Sequence, residues 1–366
     1  MPYTEFYCNS AVGDNRNAGS TTGAHHSLWT SASWVSATGV FTVSSGNPVT
    51  SGVTVGMFAS VYPVAAVFAP YVALIVNVTS TAITLSLTFK TGTAPTDSVT
   101  SDRAIRVGGC WKGPNVLEDF PFGVMASTLN DGVNLTPRVN FKGTFNVTGA
   151  IAHGVTDSNP VIWEGYTTTP GDGGMCTILS PFSGASYTVL TLGNTLCRRQ
   201  WLENFIFTYN GSTGSATTLV LSSVIGGARN IYVNNSRGIG ITCSGAGGTY
   251  VELEVFACNN SGTVDLPGIA VTNTCRVIRS IARSCNKHGF GTTTSVSNNP
   301  TLLHCIAADN NGSGFSFKAP GGTAGGSLFM QNCDAYSNAQ DGLRIEAAGT
   351  PGTILVQDSN FIENTG

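Results

Sequence analysis

The sequence predicts an all-β protein: a right-handed single-stranded parallel β-helix (solenoid) with a small antiparallel β-barrel or sandwich inserted near the N-terminus. Three observations carry this expectation. The second half holds a Cys/Asn/Gly repeat, the composition is rich in turn formers and poor in charge, and a charge-free run of alternating strands occupies much of the first hundred residues.

The repeat fixes the architecture. Cys305-Ile306-Ala307-Ala308-Asp309-Asn310-Asn311-Gly312-Ser313-Gly314-Phe315 and Cys333-Asp334-Ala335-Tyr336-Ser337-Asn338-Ala339-Gln340-Asp341-Gly342-Leu343 share the frame Cys-x-Ala-x-x-Asn-x-x-x-Gly-apolar. The segment from Ser280 to Phe290 follows it with two substitutions. Gly238, Gly262, Gly289, Gly314 and Gly342 then recur roughly 24–28 residues apart, within the ~20–50 residue window of solenoid repeats. Between them lie short alternations such as Ile231-Tyr232-Val233 and Val251-Glu252-Leu253-Glu254-Val255. No segment shows ten or more residues at helical period, which excludes helical repeats. A coil of about three short parallel strands remains, stacked ~4.8 Å from the next.

In such a coil each repeated residue has work to do. The glycine supplies either a positive φ or room for a close backbone approach. Asn310 and Asn338 pass amide hydrogen bonds from coil to coil. Cys258 falls over Cys285, and Cys305 over Cys333; these are stacked buried thiols whose neighbouring-coil spacing also lies within disulfide range.

Composition agrees. Glycine makes up 45 of 366 residues and charged residues only 10%, against ~7% and ~25% in average soluble proteins. Ser, Thr, Asn and Gly favour turns over helix interiors. The net charge of −3 gives no basic footprint, so no nucleic-acid partner is expected. The ten cysteines form no CxxC pair and no Cys/His cluster at zinc spacing.

Between Arg16 and Lys90 there is no Asp, Glu, Lys or Arg. The apolar stretch Met57 to Val78 within it is broken by Pro63 and Pro70 and lacks basic flanks, so no membrane span is expected. Runs such as Gly39-Val40-Phe41-Thr42-Val43 alternate as strands do. These features divide the chain into a first strand and loop (1–34), an inserted charge-free β domain (35–105) and the β-helix (106–366), with a short capping helix at about 121–130 and the clearest repeats at 230–366. An uncharged surface on that insert is expected to pack against other copies.

The opening Glu5-Phe6-Tyr7-Cys8, running into the Gly13-Asp14 loop, resembles the start of pectate-lyase-like parallel β-helix proteins. Val139-Asn140-Phe141-Lys142-Gly143-Thr144-Phe145 and Ile162-Trp163-Glu164-Gly165-Tyr166 resemble early coils of that family, which includes phage tail and tailspike proteins and extracellular surface proteins. The resemblance implies the fold; function is left open, because this architecture carries lyases, hydrolases, adhesins and structural proteins alike.

A lyase of this kind would need clustered carboxylates for calcium and a basic residue beside them. The acidic candidates Asp309, Asp334, Asp341 and Glu346 form no close trio in sequence, and Arg279, Arg283, Lys287 and Arg344 are dispersed. Asp309, Asp334, Lys287 and His288 are the candidate catalytic residues; solvated rim charges explain them as well. Trp163, Trp201 and Tyr336 are candidates for stacking on sugar rings, against an ordinary core role. His25-His26 lacks a third ligand and the Asp14 loop lacks the calcium-loop pattern, so no metal or other cofactor is expected.

The expected function is a non-enzymatic structural protein of a virion appendage or extracellular filament, self-associating through the charge-poor domain and the coil end. A polysaccharide-degrading tailspike-like enzyme and a carbohydrate-binding adhesin are the alternatives. The chain opens without a basic, apolar leader, and charged substitutions at Val61 or Ala73 are expected to abolish assembly.

Overall fold

A computed structural model of the chain describes residues 4–11, 25–66, 71–92, 94–108, 137–153, 160–180, 187–193, 199–210, 217–260, 265–292, 299–318, 327–346 and 353–365. The protein is all-β, a parallel β-solenoid with a closed six-stranded antiparallel barrel. No helix occurs among the described residues. The capping helix expected at about 121–130 and the repeat glycine Gly262 lie outside them. The chain divides into two compact units, Met1–Phe145 with Val161–Asp172, and Asn146–Pro160 with Gly173–Gly366.

The first unit contains the barrel. Its strands close in the order His25–Val35, Val40–Val43, Ala82–Gly92, Tyr71–Val78, Phe58–Pro63 and Arg103–Gly108. His25–Val35 lies outside the 35–105 segment read as the insert, yet it belongs to the barrel because its backbone pairs with both Val40–Val43 and Arg103–Gly108. Alternation sends one side chain in two inward. Trp34, Phe41, Val61, Tyr71, Ala73, Ile75, Ile83, Ile105 and Val107 fill the core. The buried Trp34 indole donates to Pro95 O at 3.0 Å, which satisfies its one polar atom. The apolar run from Met57 to Val78 thus becomes two barrel strands.

The same unit carries three parallel strands, Thr4–Asn9, Pro137–Lys142 and Val161–Tyr166, with Pro137–Lys142 in the middle. Phe6, Val139 and Trp163 form one interior row and Cys8, Phe141 and Gly165 the next. The opposite face is polar yet also buried: Asn140 donates to Phe6 O at 3.2 Å, and Arg138 pairs with the almost fully buried Glu164 at 2.9 Å.

The second unit is coil throughout. An eight-stranded parallel sheet stacks Ile151–His153, Leu190–Leu192, Leu219–Leu221, Ile241–Cys243, Pro267–Val271, His288–Gly291, Phe315–Lys318 and Leu343–Glu346 in chain order. A second sheet in this unit carries Cys176–Ser180 and the long strands Gln200–Tyr209, Gly227–Asn234 and Thr249–Phe256, and the coils after these replace the single long strand by two short ones. A late coil therefore has three short strands, for example Arg276–Ile278, Ile281–Arg283 and His288–Gly291.

Corners are turned by residues with positive φ, and most of these are not glycine. One column runs Asn204, Asn230, Glu252, Arg279, His304, Asn332 and Asp358; a second runs Asn235, Ala257, Ser284, Asp309, Ser337 and Glu363. The repeat glycines have a different purpose. Gly289, Gly314 and Gly342 have no positive φ; they leave space. A Cβ on Gly314 would lie 2.7 Å from Ala335 Cβ and 2.9 Å from Asn338 Nδ2, too close for any real contact. Register also corrects the early members of the row. Ile241 pairs with Ile269, and Pro267 with His288, so Gly240 and Gly268 stand above Gly289, where the repeat spacing had pointed to Gly238 and Gly262.

Ladders run along the coil axis. Asn310 Nδ2 donates to Asn338 Oδ1, and Asn338 Nδ2 to Asn364 Oδ1, both at 2.8 Å. Phe290 stacks on Phe315 with ring centroids 5.2 Å apart. All eight described cysteines are free and buried.

Candidate functional site

The second unit bends along the first corner column, and the bend leaves a groove on the outside of the coil. It is lined by Met175, Asn230, Tyr232, Glu252, Glu254 and Arg279 among others, with a volume of about 360 Å³. Strand alternation builds it. In Thr249–Phe256, Leu253 and Val255 point into the core, so Glu254 points out, while Glu252 stands at the positive-φ corner and is half-buried. One coil earlier Tyr232 is the register partner of Glu254, and one coil later Ile281 is.

Its charges are mutually neutralised. Glu252 lies 3.5 Å from Arg229 Nε and 3.0 Å from Arg279 Nη2, a carboxylate shared by guanidinium groups from the preceding and following coils. Glu254 accepts two hydrogen bonds from Arg283, at 2.9 and 2.6 Å. The Arg283 guanidinium also lies over the Phe256 ring, 5.2 Å from its centroid. Partial burial, followed by the Glu254 charge, pushes the Tyr232 hydroxyl above its ordinary pKa, so the phenol stays protonated at neutral pH. The groove thus offers an aromatic face, an amide, a phenol donor and guanidinium N–H groups. Its carboxylates are committed to arginines, which is a better arrangement for holding a polar ligand than for delivering a proton.

The residues singled out in the sequence are scattered. Asp334 lies in the groove's row, three coils beyond Glu254 through Ile281 and Ile306. Asp309 is an exposed corner residue one position past Ala308, whose partner is Tyr336, so Asp309 and Asp334 do not form a pair. His288 is nearly fully buried; its Nδ1 accepts from Ser313 N at 2.9 Å and its Nε2 lies 3.0 Å from Asp265 Oδ1. The neighbouring Lys287 is half-buried, and its carbonyl accepts from Gly312 N. Trp163 is fully buried beside Phe141, with no ring face open to a sugar. Trp201 is half-buried, its ring filling the space that a side chain on Gly227 would take. Tyr336, at 43% exposure, is the open aromatic of the three, in the row of Phe256 and Arg283. Arg279 and Arg283 do meet carboxylates. Those carboxylates, Glu252 and Glu254, went unread as a pair; Glu252 sits at a positive-φ corner that breaks the alternation of its strand, and only the groove shows them together. Among the described residues no group of three or more His, Cys, Asp or Glu side chains is placed to hold a metal ion.

No family model matches the sequence, and no curated protein does. Among solved structures, the crystal structure of Dettilon tailspike protein (gp208) is similar at 10% identity and a TM-score of 0.25, over 60% of this chain and 62% of that one. The chain thus spans less than two thirds of the tailspike's length. The class defined by fold and site is a parallel β-solenoid protein with a closed β-barrel and a polar, aromatic groove along its coil.

Proposed function

We propose that this protein is a non-catalytic structural component of a virion appendage or extracellular filament, self-associating through the outer surface of its barrel. One observation carries the reading. The barrel is built largely from the segment between Arg16 and Lys90 that has no charged residue, and it leaves Leu28, Val55, Val64, Val76 and Leu87 each more than 40% exposed. A surface of that kind gains from being covered, and charges such as Asp97, Asp102 and Arg103 lie outside its uncharged segment, leaving little there to keep copies apart. The coil's ladders supply a stiff, repetitive body suited to an appendage.

The test uses substitutions on the outside of the barrel. Val61 and Ala73, the positions the sequence had suggested, are fully buried in the barrel core and would report unfolding instead. Val76→Glu and Leu87→Glu should turn oligomers into monomers in mass photometry with little change in melting temperature. An unsubstituted chain that stays monomeric at tens of micromolar sinks the reading.

A second reading, carbohydrate binding along the coil, is favoured by the Tyr232–Glu252–Arg279 groove. Glycan-array binding that is lost in Tyr232→Ala supports it. Sugar release that disappears in Glu252→Gln or Glu254→Gln would turn it into an enzymatic reading.

A further inference from the structure

The loop 94–102 leads into the barrel strand Arg103–Gly108 and is tied down along its length. Pro95 O accepts from the Trp34 indole at 3.0 Å, and Ser98 exchanges backbone hydrogen bonds with Trp34 at 2.7 and 3.0 Å. Asp97 takes two bonds from Ser36, at 2.7 and 2.6 Å. The Ser31 hydroxyl donates to Thr100 O at 3.1 Å, and the Ser98 hydroxyl donates to Asp102. Arg103 donates to the Thr96 carbonyl at 3.2 Å and to its hydroxyl at 2.9 Å. This braced loop holds out Val99, which is 86% exposed. Next to Val99 is an open pocket of about 580 Å³, lined by Pro63, Val64 and Ala65 at the end of strand Phe58–Pro63 and by residues 100–103 of the loop and strand.

We infer that this end of the barrel is a two-fold contact between copies of the chain, in which Val99 of each copy fills the pocket of the other. The inference rests on the proposed self-association and gives that contact its anchor.

Shape, charge and continuity select a second copy as the occupant. A projection and a pocket side by side are both filled when two copies meet about a two-fold axis; a head-to-tail contact leaves one of each open. The ionised groups lining the pocket are Asp102 and Arg103, which pair at 2.9 Å within the copy. Two copies therefore meet there without net repulsion, and a strongly charged partner finds no excess of either sign to recognise. Val64 lines the pocket and is also one of the exposed apolar residues that carry the self-association reading.

The bracing of the loop matters energetically. A side chain held out on a pre-set loop loses little freedom when it is buried, so more of its apolar gain is kept as affinity. Anchors seated in pockets carry a disproportionate share of binding energy. A stable contact covers ~800 Å² on each partner, more than one valine and its pocket supply. The remainder comes from the exposed apolar side chains of the barrel wall.

The test uses the full chain. Protein carrying Val99→Cys and protein carrying Ala65→Cys are purified separately, mixed and oxidised. Each has one new thiol at an exposed position, and the eight described native cysteines are buried. The expected product is a covalent dimer with one chain of each kind, mapped by mass spectrometry to a cross-link between positions 99 and 65. In sedimentation the unsubstituted chain should run as a dimer. Val99→Glu should raise its dissociation constant about 30-fold or more with an unchanged melting temperature, whereas Val99→Leu should keep the dimer. An unsubstituted chain that stays monomeric at tens of micromolar removes the self-association reading and this inference together. An oligomer that survives Val99→Glu, assembly past two chains, or a mixture without the 99–65 link overturns this inference and leaves self-association standing.

Discussion

At the scale of single residues, the coil separates two demands that a glycine normally meets together. Positive φ is carried by Asn, Asp, Ser and even Ile225, at φ 55°, whereas the repeat glycines provide room. Opposite outcomes follow for two substitutions that exchange a glycine with a larger residue. Gly314→Ala should cost about 1–3 kcal/mol, because its Cβ meets Ala335 Cβ and the Asn338 amide. Ile225→Gly should be neutral or stabilise by up to ~1 kcal/mol, since a β-branched side chain at positive φ is strained and this one is 59% exposed. Denaturant unfolding of the two variants decides it; equal losses would mean that the glycines serve φ after all. Asn338→Ala should cost more, about 2–4 kcal/mol, because its amide donates to Ala307 O and Asn364 Oδ1 and its oxygen accepts from Asn310 N and Nδ2. The sequence showed which residue types recur but not which of two φ-compatible roles each filled. Steric room is set by the neighbouring coil, and spacing alone assigned the row to Gly238 when register places it at Gly240.

At the scale of elements, the alternation of strands was legible and their partners were less so. Met57 to Val78 read from sequence as one apolar run that does not span a membrane, without its division into the strands Phe58–Pro63 and Tyr71–Val78; that Val61 and Ala73 face inward depends on which face the barrel closes around, and closure is a non-local event. Val61→Asp should therefore place an unpaired charge in the core and cost on the order of 4 kcal/mol or more, seen as rapid proteolysis of the barrel. Val76→Lys, at an exposed position, should leave melting within the usual scatter of surface changes. The barrel also has an acid-sensitive link: Asp97 accepts from both the backbone N–H and the hydroxyl of Ser36, and these bonds hold its carboxyl below the ordinary range. Because the folded pKa is the lower one, its contribution is complete above the ordinary carboxyl pKa and is lost as pH falls through the folded value. Asp97→Asn should flatten that part of the barrel's acid-unfolding profile. The groove escaped the sequence for a related reason: Glu252 and Glu254 are two residues apart, but their arginine partners come from coils 23 to 29 residues away, and only register brings them together.

At the scale of the whole molecule, the distribution of charge predicts how association responds to solvent. The described ion pairs of the coil, such as Arg283 with Glu254 and Arg279 with Glu252, are half-exposed, and contacts made through such groups weaken as salt shortens the Debye length from ~10 Å at 0.1 M to ~3 Å at 1 M. The exposed valines and leucines of the barrel obey different physics. Burial of apolar surface is entropic near room temperature and strengthens on warming from the cold, and it is insensitive to screening. If copies meet through the barrel, sedimentation at 0.05 and 1 M NaCl should give the same oligomer fraction, and warming from 5 to 25 °C should raise it. If they meet through the coil's arginines and glutamates, the oligomer should dissolve in 1 M NaCl and gain little from warming. Leu87→Glu separates the two further: it abolishes the salt-resistant oligomer while leaving any salt-sensitive contact in place, so the combined experiment assigns the interface to one part of the chain.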